Sequence, residues 1–359
     1  MAGNASESAA RTLVGALVAV VGALAASTVH LPLPWLLGPL LAVAALHLAG
    51  QRAPAPEALR SGGQIVVGAA VGVAFVPTVA ALALALWPLV LANALATTLC
   101  GVGGAWLLHR WTRVDLRTCY LSAAIGGASD MQALAERFGA DADIIATAHV
   151  LRLSLVVLVV PVTLTCVVDH GAASTAAAAA ASAASPPGVV ALLAIAAAAG
   201  WTARRLRVPN AWGIAPLVAS CACAAGGLQL GDVPPALVHA GQLAIGWSLG
   251  SRFSAGFFRA RPRFLFAVAV YTLGVLLTTV VLGCAIGQWL VDDTWSVVLG
   301  AAPGGVAEMS ITARLLELDV PLVTSLQLTR IVAAALFTAP LLVLLQRSFV
   351  ANRSNRDAP

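Results

Sequence analysis

Two carboxylates and two arginines recur in this chain at a single spacing. Asp130 follows the glycine pair Gly126-Gly127, and Glu308 follows Gly304-Gly305, 178 residues later. Arg152 lies eleven residues after Asp141, and Arg330 eleven after Asp319, again 178 apart. A carboxylate can hold a proton or Na⁺, and a guanidinium grips an anion with its planar fork. Glycine pairs break helices, and a helix that restarts after a break points free N–H groups at an anion. The chemistry on offer is reversible binding of a small solute, an anion first of all, together with a coupling proton or Na⁺. The same charges have a plainer use, in which each carboxylate complements a helix dipole and pairs with a nearby arginine. The candidate solute site comprises Gly126, Gly127, Ser129, Asp130 and Arg152 in the first half and Gly304, Gly305, Glu308 and Arg330 in the second. Gln64 and Gln242 either line the site or only bridge helices.

The setting of these residues is a membrane. Of 359 residues, 60% are hydrophobic and only 10% are charged, and the mean hydropathy is +0.93. A soluble surface needs far more charge. Apolar runs of bilayer-spanning length recur from end to end. The stretch "RTLVGALVAVVGALAAS" reads as the first transmembrane helix rather than a cleaved signal, because its one basic residue comes late and another span follows at once.

The chain repeats itself. "LPLPWLLGPLLA" (Leu31–Ala42) returns as "VPNAWGIAPLVA" (Val208–Ala219), and "GQIVVGAAVGVAF" (Gly63–Phe75) as "GQLAIGWSLGSRF" (Gly241–Phe253). "GGASDM" returns inside "PGGVAEM". Three blocks in one order at a nearly constant offset mark a tandem duplication. The expected organisation is a first membrane repeat over 1–170, an Ala/Ser-rich linker over 171–187, a second repeat over 188–346 and a polar cytoplasmic tail over 347–359.

Each half offers five spans. They are expected near 12–29, 34–49, 62–77, 88–109 and 142–167, then near 189–203, 211–226, 234–250, 264–290 and 320–345. The glycine motif falls between the fourth and fifth, with flanks too short to cross separately. If it crosses, the halves share an orientation; if it re-enters, the second half is inverted. The positive-inside rule separates the two topologies. All twenty basic residues are arginine, and the re-entrant topology puts sixteen of them on one side. The expected fold is an all-α polytopic membrane protein of two inverted repeats. Each has five spanning helices plus one re-entrant broken hairpin, with both termini cytoplasmic. Arg137, Arg152, Arg314 and Arg330 are left over, and Arg152 sits about 16 Å along its helix, close to mid-membrane.

Smaller features are read modestly. Gly68, Gly72, Gly246 and Gly250 form runs that let helices pack closely in lipid. Pro39 and Pro216 are placed to break or kink their helices. His149 shares a face with Arg152 and can join its polar cluster. The six cysteines read as free buried thiols. The histidines share no ligand spacing, so no metal is expected.

Together these motifs resemble the AbrB-duplication membrane protein family. The resemblance rests on "LPWLLGP", on the doubled "GQxxxGxxxG", on "GGASDM" and "PGGVAEM", and on the Asp and Arg that follow. It covers nearly the whole chain. Such proteins carry the labels AbrB family transcriptional regulator or ammonia monooxygenase, and the resemblance implies a link to regulation of gene expression. The residues argue against both labels as direct activities. Direct nucleic-acid binding needs a basic cytoplasmic module, and a monooxygenase needs clustered metal ligands. The second half departs from the first in having Glu308 for Asp130 and in placing Pro303 before its glycine pair.

The leading expectation is a secondary transporter of a small, preferentially anionic solute, working by alternating access in a bacterial inner (cytoplasmic) membrane. The alternative is a membrane sensor acting through a cytoplasmic partner. An enzyme is not expected, nor a cofactor beyond the coupling ion. The partners are the lipid bilayer and the solute, and small residues on many helices permit a homodimer.

Overall fold

The computed structural model describes residues 2–73, 86–167, 186–206, 208, 210–228, 230–253, 255–287 and 293–354. Most of the expected linker, the end of the tail and Phe75 lie outside these residues.

Every described element is a helix. The first half runs α1 (Ala2–Thr28), α2 (Pro34–Leu48), α3 (Glu57–Val73), α4 (Trp87–Thr112), α5 (Leu116–Ala123), α6 (Ala128–Phe138) and α7 (Ala142–Val167). The second runs α8 (Pro186–Arg205), α9 (Ala211–Ala225), α10 (Pro235–Gly250), the short α11 (Ala255–Ala260), α12 (Pro262–Leu282), α13 (Thr294–Ala301), α14 (Val306–Leu315) and α15 (Val320–Ser354). A π turn, Gly283–Gly287, extends α12.

Among the described residues, six helices are long and apolar enough to cross a membrane: 10–28 within α1, α4, α7, α8, α12 with its π turn, and 320–345 within α15. This is a polytopic membrane protein. The spans expected near 34–49, 211–226 and 234–250 are the shorter helices α2, α9 and α10, of 15, 15 and 16 residues, and the span expected near 62–77 is described as α3 over 17 residues up to Val73. At 1.5 Å per residue these reach about 22–26 Å, against about 30 Å of hydrocarbon. Turn geometry sets two of the starts. Leu33 and Asn210 hold left-handed conformations, with φ of 50° and 49°, just before α2 and α9. Pro39 and Pro216 do not break α2 and α9, which run on through them.

The helices sort into two groups, and each group draws on both halves. In one, α1, α2 and α3 pack with α8, α9 and α10; in the other, α4 to α7 pack with α12 to α15. Glycines let the first group close. A side chain at Gly72 would strike the carbonyl oxygen of Leu217 on α9, and one at Gly246 that of Leu36 on α2. Gly63 lies against Gly241, its counterpart in the repeat, at 2.6 Å from a virtual Cβ to the carbonyl oxygen. With no water to expel between lipid-exposed helices, such close approach supplies the packing energy. Gly72→Leu is therefore expected to cost about 1–3 kcal/mol, as overpacking does. Thermal unfolding in detergent checks this, with Gly62→Ala as control, since nothing lies within 4 Å of a Cβ there.

The groups meet through α14, which packs on α3 and α9, and through α7 against α2. All six cysteines are free, but only Cys119 is buried; Cys166 and Cys284 are exposed. The apolar surface of this chain is turned outward, and those two thiols lie on it.

Candidate functional site

Each glycine motif splits a helical hairpin into two half-helices. In hairpin 1, α5 stops at Ala123 and α6 starts at Ala128; in hairpin 2, α13 stops at Ala301 and α14 starts at Val306. Asp115 caps the start of α5 by accepting from the Thr118 N–H at 2.9 Å, and Asp293 caps α13 by accepting from the Ser296 N–H at 3.0 Å. Broken backbone at membrane depth must be satisfied by protein.

The C-terminal carbonyls of a helix have no partner within it. In α5 all four find one. Ala124 N–H donates to the Tyr120 oxygen, and His149 Nε2 to the Leu121 oxygen at 2.9 Å. Arg152 donates to the Ser122, Ala123 and Ala124 oxygens at 3.4, 3.2 and 2.9 Å. Tyr271 adds a hydroxyl to the Ala123 oxygen at 2.8 Å. A second Arg152 nitrogen donates to His149 Nδ1 at 2.7 Å. That pair of bonds requires the neutral Nε2–H tautomer of His149.

Hairpin 2 repeats the scheme 178 residues on. Gln327 stands where His149 stood, and donates to the Leu299 and Ala302 oxygens at 3.1 and 3.0 Å. Arg330 donates to the Ala302 oxygen, to the Gly304 oxygen at 2.7 Å and to Gln327 Oε1 at 2.6 Å. The outer ends match as well. Thr118 Oγ1 accepts from Asp141 N–H and Ser296 Oγ from Asp319 N–H, while Asp141 and Asp319 each cap the helix that follows. Arg152 and Arg330 are 4% and 3% exposed, and they are near enough to repel each other. Each sits at the negative end of a half-helix dipole, where a cation is favoured.

The carboxylates lie at the opposite ends. Asp130 and Glu308 occupy the first turns of α6 and α14. Each folds back over the glycine three residues earlier, so that a Cβ at Gly127 would strike Asp130 Oδ2 and one at Gly305 would strike Glu308 Oε2. The acids thus stand beside the N-termini that a solute anion would use.

The candidate residues are distributed as follows. Gly126 packs on Met131 and Ala334, and Gly304 on Met309. Gln242 is 5% exposed and Gln64 half-buried, and neither has a hydrogen-bond partner among the described residues. The side chain of Ser129 lies outside the described residues. Asp130 and Glu308 form no ion pair with Arg152 or Arg330, whose guanidinium groups are committed to carbonyls instead.

One residue was missed. Arg60 read as a topology-marking arginine at the cytoplasmic edge. It lies on α3, its charge is felt by Glu308, and its Nε is buried without a partner. The signal was present in "RSGGQ": Arg60 sits one turn before Gln64, so both share a helix face.

Paired broken hairpins, each tied by a buried arginine and tipped by an acid, define an integral membrane protein with a polar interior. Comparison places the chain within a family. Residues 35–346 match the family described as Transition state regulatory protein AbrB, and the chain belongs to it. It is 25% identical over 326 residues to the "Putative regulator AbrB" of Escherichia coli (strain K12), covering 91% of this chain and 93% of that one. It is 23% identical over 249 residues to the "Uncharacterized protein YhjN" of Bacillus subtilis (strain 168), covering 66% of this chain and 65% of that one. No solved structure matches it.

Proposed function

We propose that this protein is a secondary transporter of a small anionic solute, coupled to a proton or Na⁺. The observation that carries the reading is the placement of Asp130 and Glu308 in the first turns of the two half-helices, folded back over Gly127 and Gly305. A charged acid there repels an anion from the N–H groups of its own helix, and neutralising it, by a proton or a cation, lifts that repulsion. Those groups then become free for an anionic group of the solute. Ion and solute would therefore bind together, which is the condition for co-transport.

Other features support the reading. Arg60, Arg152 and Arg330 outnumber Asp130 and Glu308, which favours a negative solute. The unpartnered Nε atoms of Arg60 and Arg330 offer further donors. Two helix groups built from both halves give a frame and a mobile part, as alternating access needs. The proposed topology is two inverted repeats of five membrane-inserted helices and one re-entrant hairpin each, with the short helices tilted or capped at the interface. The arginine-rich face and both termini are cytoplasmic, and hairpin 2 enters from outside. The partners are lipid and solute, with no direct contact to nucleic acid and no catalytic step.

The test is flux in proteoliposomes. Small carboxylates, phosphate and sulfate are offered with and without imposed pH and Na⁺ gradients. Uptake that follows one gradient supports the reading. Thermal stabilisation by a solute that never enters the vesicle would favour the second reading, a sensor, which the regulator names of the family suggest. Gly305→Ala is a finer probe. Its Cβ displaces only the far end of the Glu308 side chain, so anion binding is expected to tighten and to lose pH dependence, as read by isothermal titration at two pH values.

A further inference from the structure

A pocket lies behind the break of hairpin 1, between α4, α5 and α15. Ala124 and Ile125, at the break itself, form one wall, and Ala334, on which Gly126 packs, forms part of another. Four hydroxyl-bearing residues line it: Thr97 and Thr98 of α4, Tyr120 of α5 and Thr338 of α15. None of the lining residues carries a charge. The space has room for a water molecule or for the hydroxyl end of a larger one, and it is open on one side.

The other half of the chain fills the equivalent place. The counterparts of Thr97, Thr98, Tyr120 and Thr338, 178 residues away, are Val275, Leu276, Val298 and Val160. All four are buried. Val160 and Leu276 pack in one apolar cluster with Val156 and Ala302, the counterparts of Ala334 and Ala124. Hairpin 2 is thus backed by packed aliphatic side chains, and hairpin 1 by hydroxyls around a space. Bracing a hairpin needs only the first arrangement. A buried hydroxyl costs free energy unless a polar atom meets it, so the second calls for such an atom inside the pocket.

The hydrogen bonds say which kind. Thr97 Oγ1 donates to the Asn93 and Ala94 oxygens at 2.8 and 3.0 Å, and Thr98 Oγ1 to the Ala94 oxygen at 2.7 Å. Each hydroxyl has one proton, so lone pairs are what these two offer the pocket. Asn93, one turn before Thr97 on the buried face of α4, has an Oδ1 with no partner. The occupant must therefore donate, while Tyr120 and Thr338 can donate back to it. A hydroxyl does both. A cation is disfavoured, because the Arg152 guanidinium already lies 2.9 Å from the Ala124 oxygen.

Depth narrows the class further. Thr97 and Thr98 lie near the middle of the 26-residue span α4. Beside the pocket, Phe337 on α15 and Leu95 and Leu99 on α4 are exposed, on the outer faces of two spans. A charged molecule does not reach such a mouth through hydrocarbon.

We infer that this pocket binds the hydroxyl of an uncharged, membrane-dissolved amphiphile, an aliphatic alcohol or a phenol, whose apolar body lies outside along Phe337. The bound hydroxyl abuts Ala124 and Ile125, so the ligand braces the break of hairpin 1. The site stands apart from the transport reading and from the nature of the solute.

The experiment uses full-length protein in phosphatidylethanolamine–phosphatidylglycerol vesicles. The probe is a long-chain alcohol with a photoreactive diazirine near its hydroxyl end. The control is its methyl ether, which cannot donate. Peptide mass spectrometry after illumination locates the adducts. They are expected within 97–101, 120–125 and 334–341, several-fold above the ether, and to fall with excess unlabelled ligand. An alkanol and an alkylphenol serve as competitors, and the better one names the natural class. Thr97→Val, Thr98→Leu and Thr338→Val, which import the residues of the other half, should each cut the labelling several-fold. Size-exclusion profiles confirm the fold, and any one folded variant suffices. Equal labelling by alcohol and ether would overturn the inference, because the pocket then takes water alone. So would labelling that neither competitor displaces, or that persists in every folded variant, since the probe is then only dissolved in the bilayer.

Discussion

Arg330→Met is expected to lose the folded protein rather than only its solute. Arg330 is 3% exposed and donates to two carbonyls at the hairpin 2 break and to Gln327. Methionine fills a similar volume but donates nothing. It strands the Gly304 oxygen and Gln327 Oε1 at about 1–3 kcal/mol each, and removes a cation from the negative end of α13. The combined loss of about 3 kcal/mol or more is a large fraction of the stability of most domains. Thermal unfolding in detergent and the monodisperse fraction after purification read it directly. Arg330→Lys should fall between, since an ammonium restores the charge but not the fork. An unchanged melting temperature with lost solute binding would mean that the guanidinium serves the solute and the carbonyls are satisfied without it.

Glu308→Gln should have the second large effect, on transport and not on stability. The amide keeps the shape of the side chain. It cannot take up or release a proton. Solute uptake driven by an ion gradient is expected to fall about 100-fold, the equivalent of about 2.7 kcal/mol. Solute binding should survive. In the native protein binding strengthens as pH falls, because protonation frees the helix N-terminus; in the Gln variant the pH profile should be flat. Asp130→Asn is the matched control on the half-buried hairpin. Gradient-driven uptake that persists with Glu308→Gln would assign the coupling ion to another group.

Much of this was legible in the sequence because the duplication printed it twice. The broken hairpins follow from glycine pairs between flanks too short to cross, and the first-turn position of both acids follows from their distance to those pairs. His149 could be placed beside Arg152 by helical spacing alone. What the arginines hold could not be read in this way. A buried guanidinium needs several acceptors, and backbone carbonyls, which carry no sequence signature, compete with carboxylates for it. Arg60 was misjudged for a related reason. The positive-inside rule counts charges near a boundary, yet a residue one turn inside that boundary can reach several ångströms toward the membrane centre. The short helices were bounded to within about a residue, because a turn or a proline marks where each begins.

The contact between Gly63 and Gly241 has a genealogical consequence. A position that touches its own copy is what an isologous dimer builds at its symmetry axis. The interface inside this chain therefore has the form of a subunit interface between two like halves. Were those halves separate copies of one molecule, one codon would serve both sides, and every change at that glycine would be felt twice. In a single chain each copy has its own codon, so the two sides are free to differ. Arg60 opposite Val238, and Glu308 opposite Asp130, are differences of a kind that two copies of one gene product could not hold.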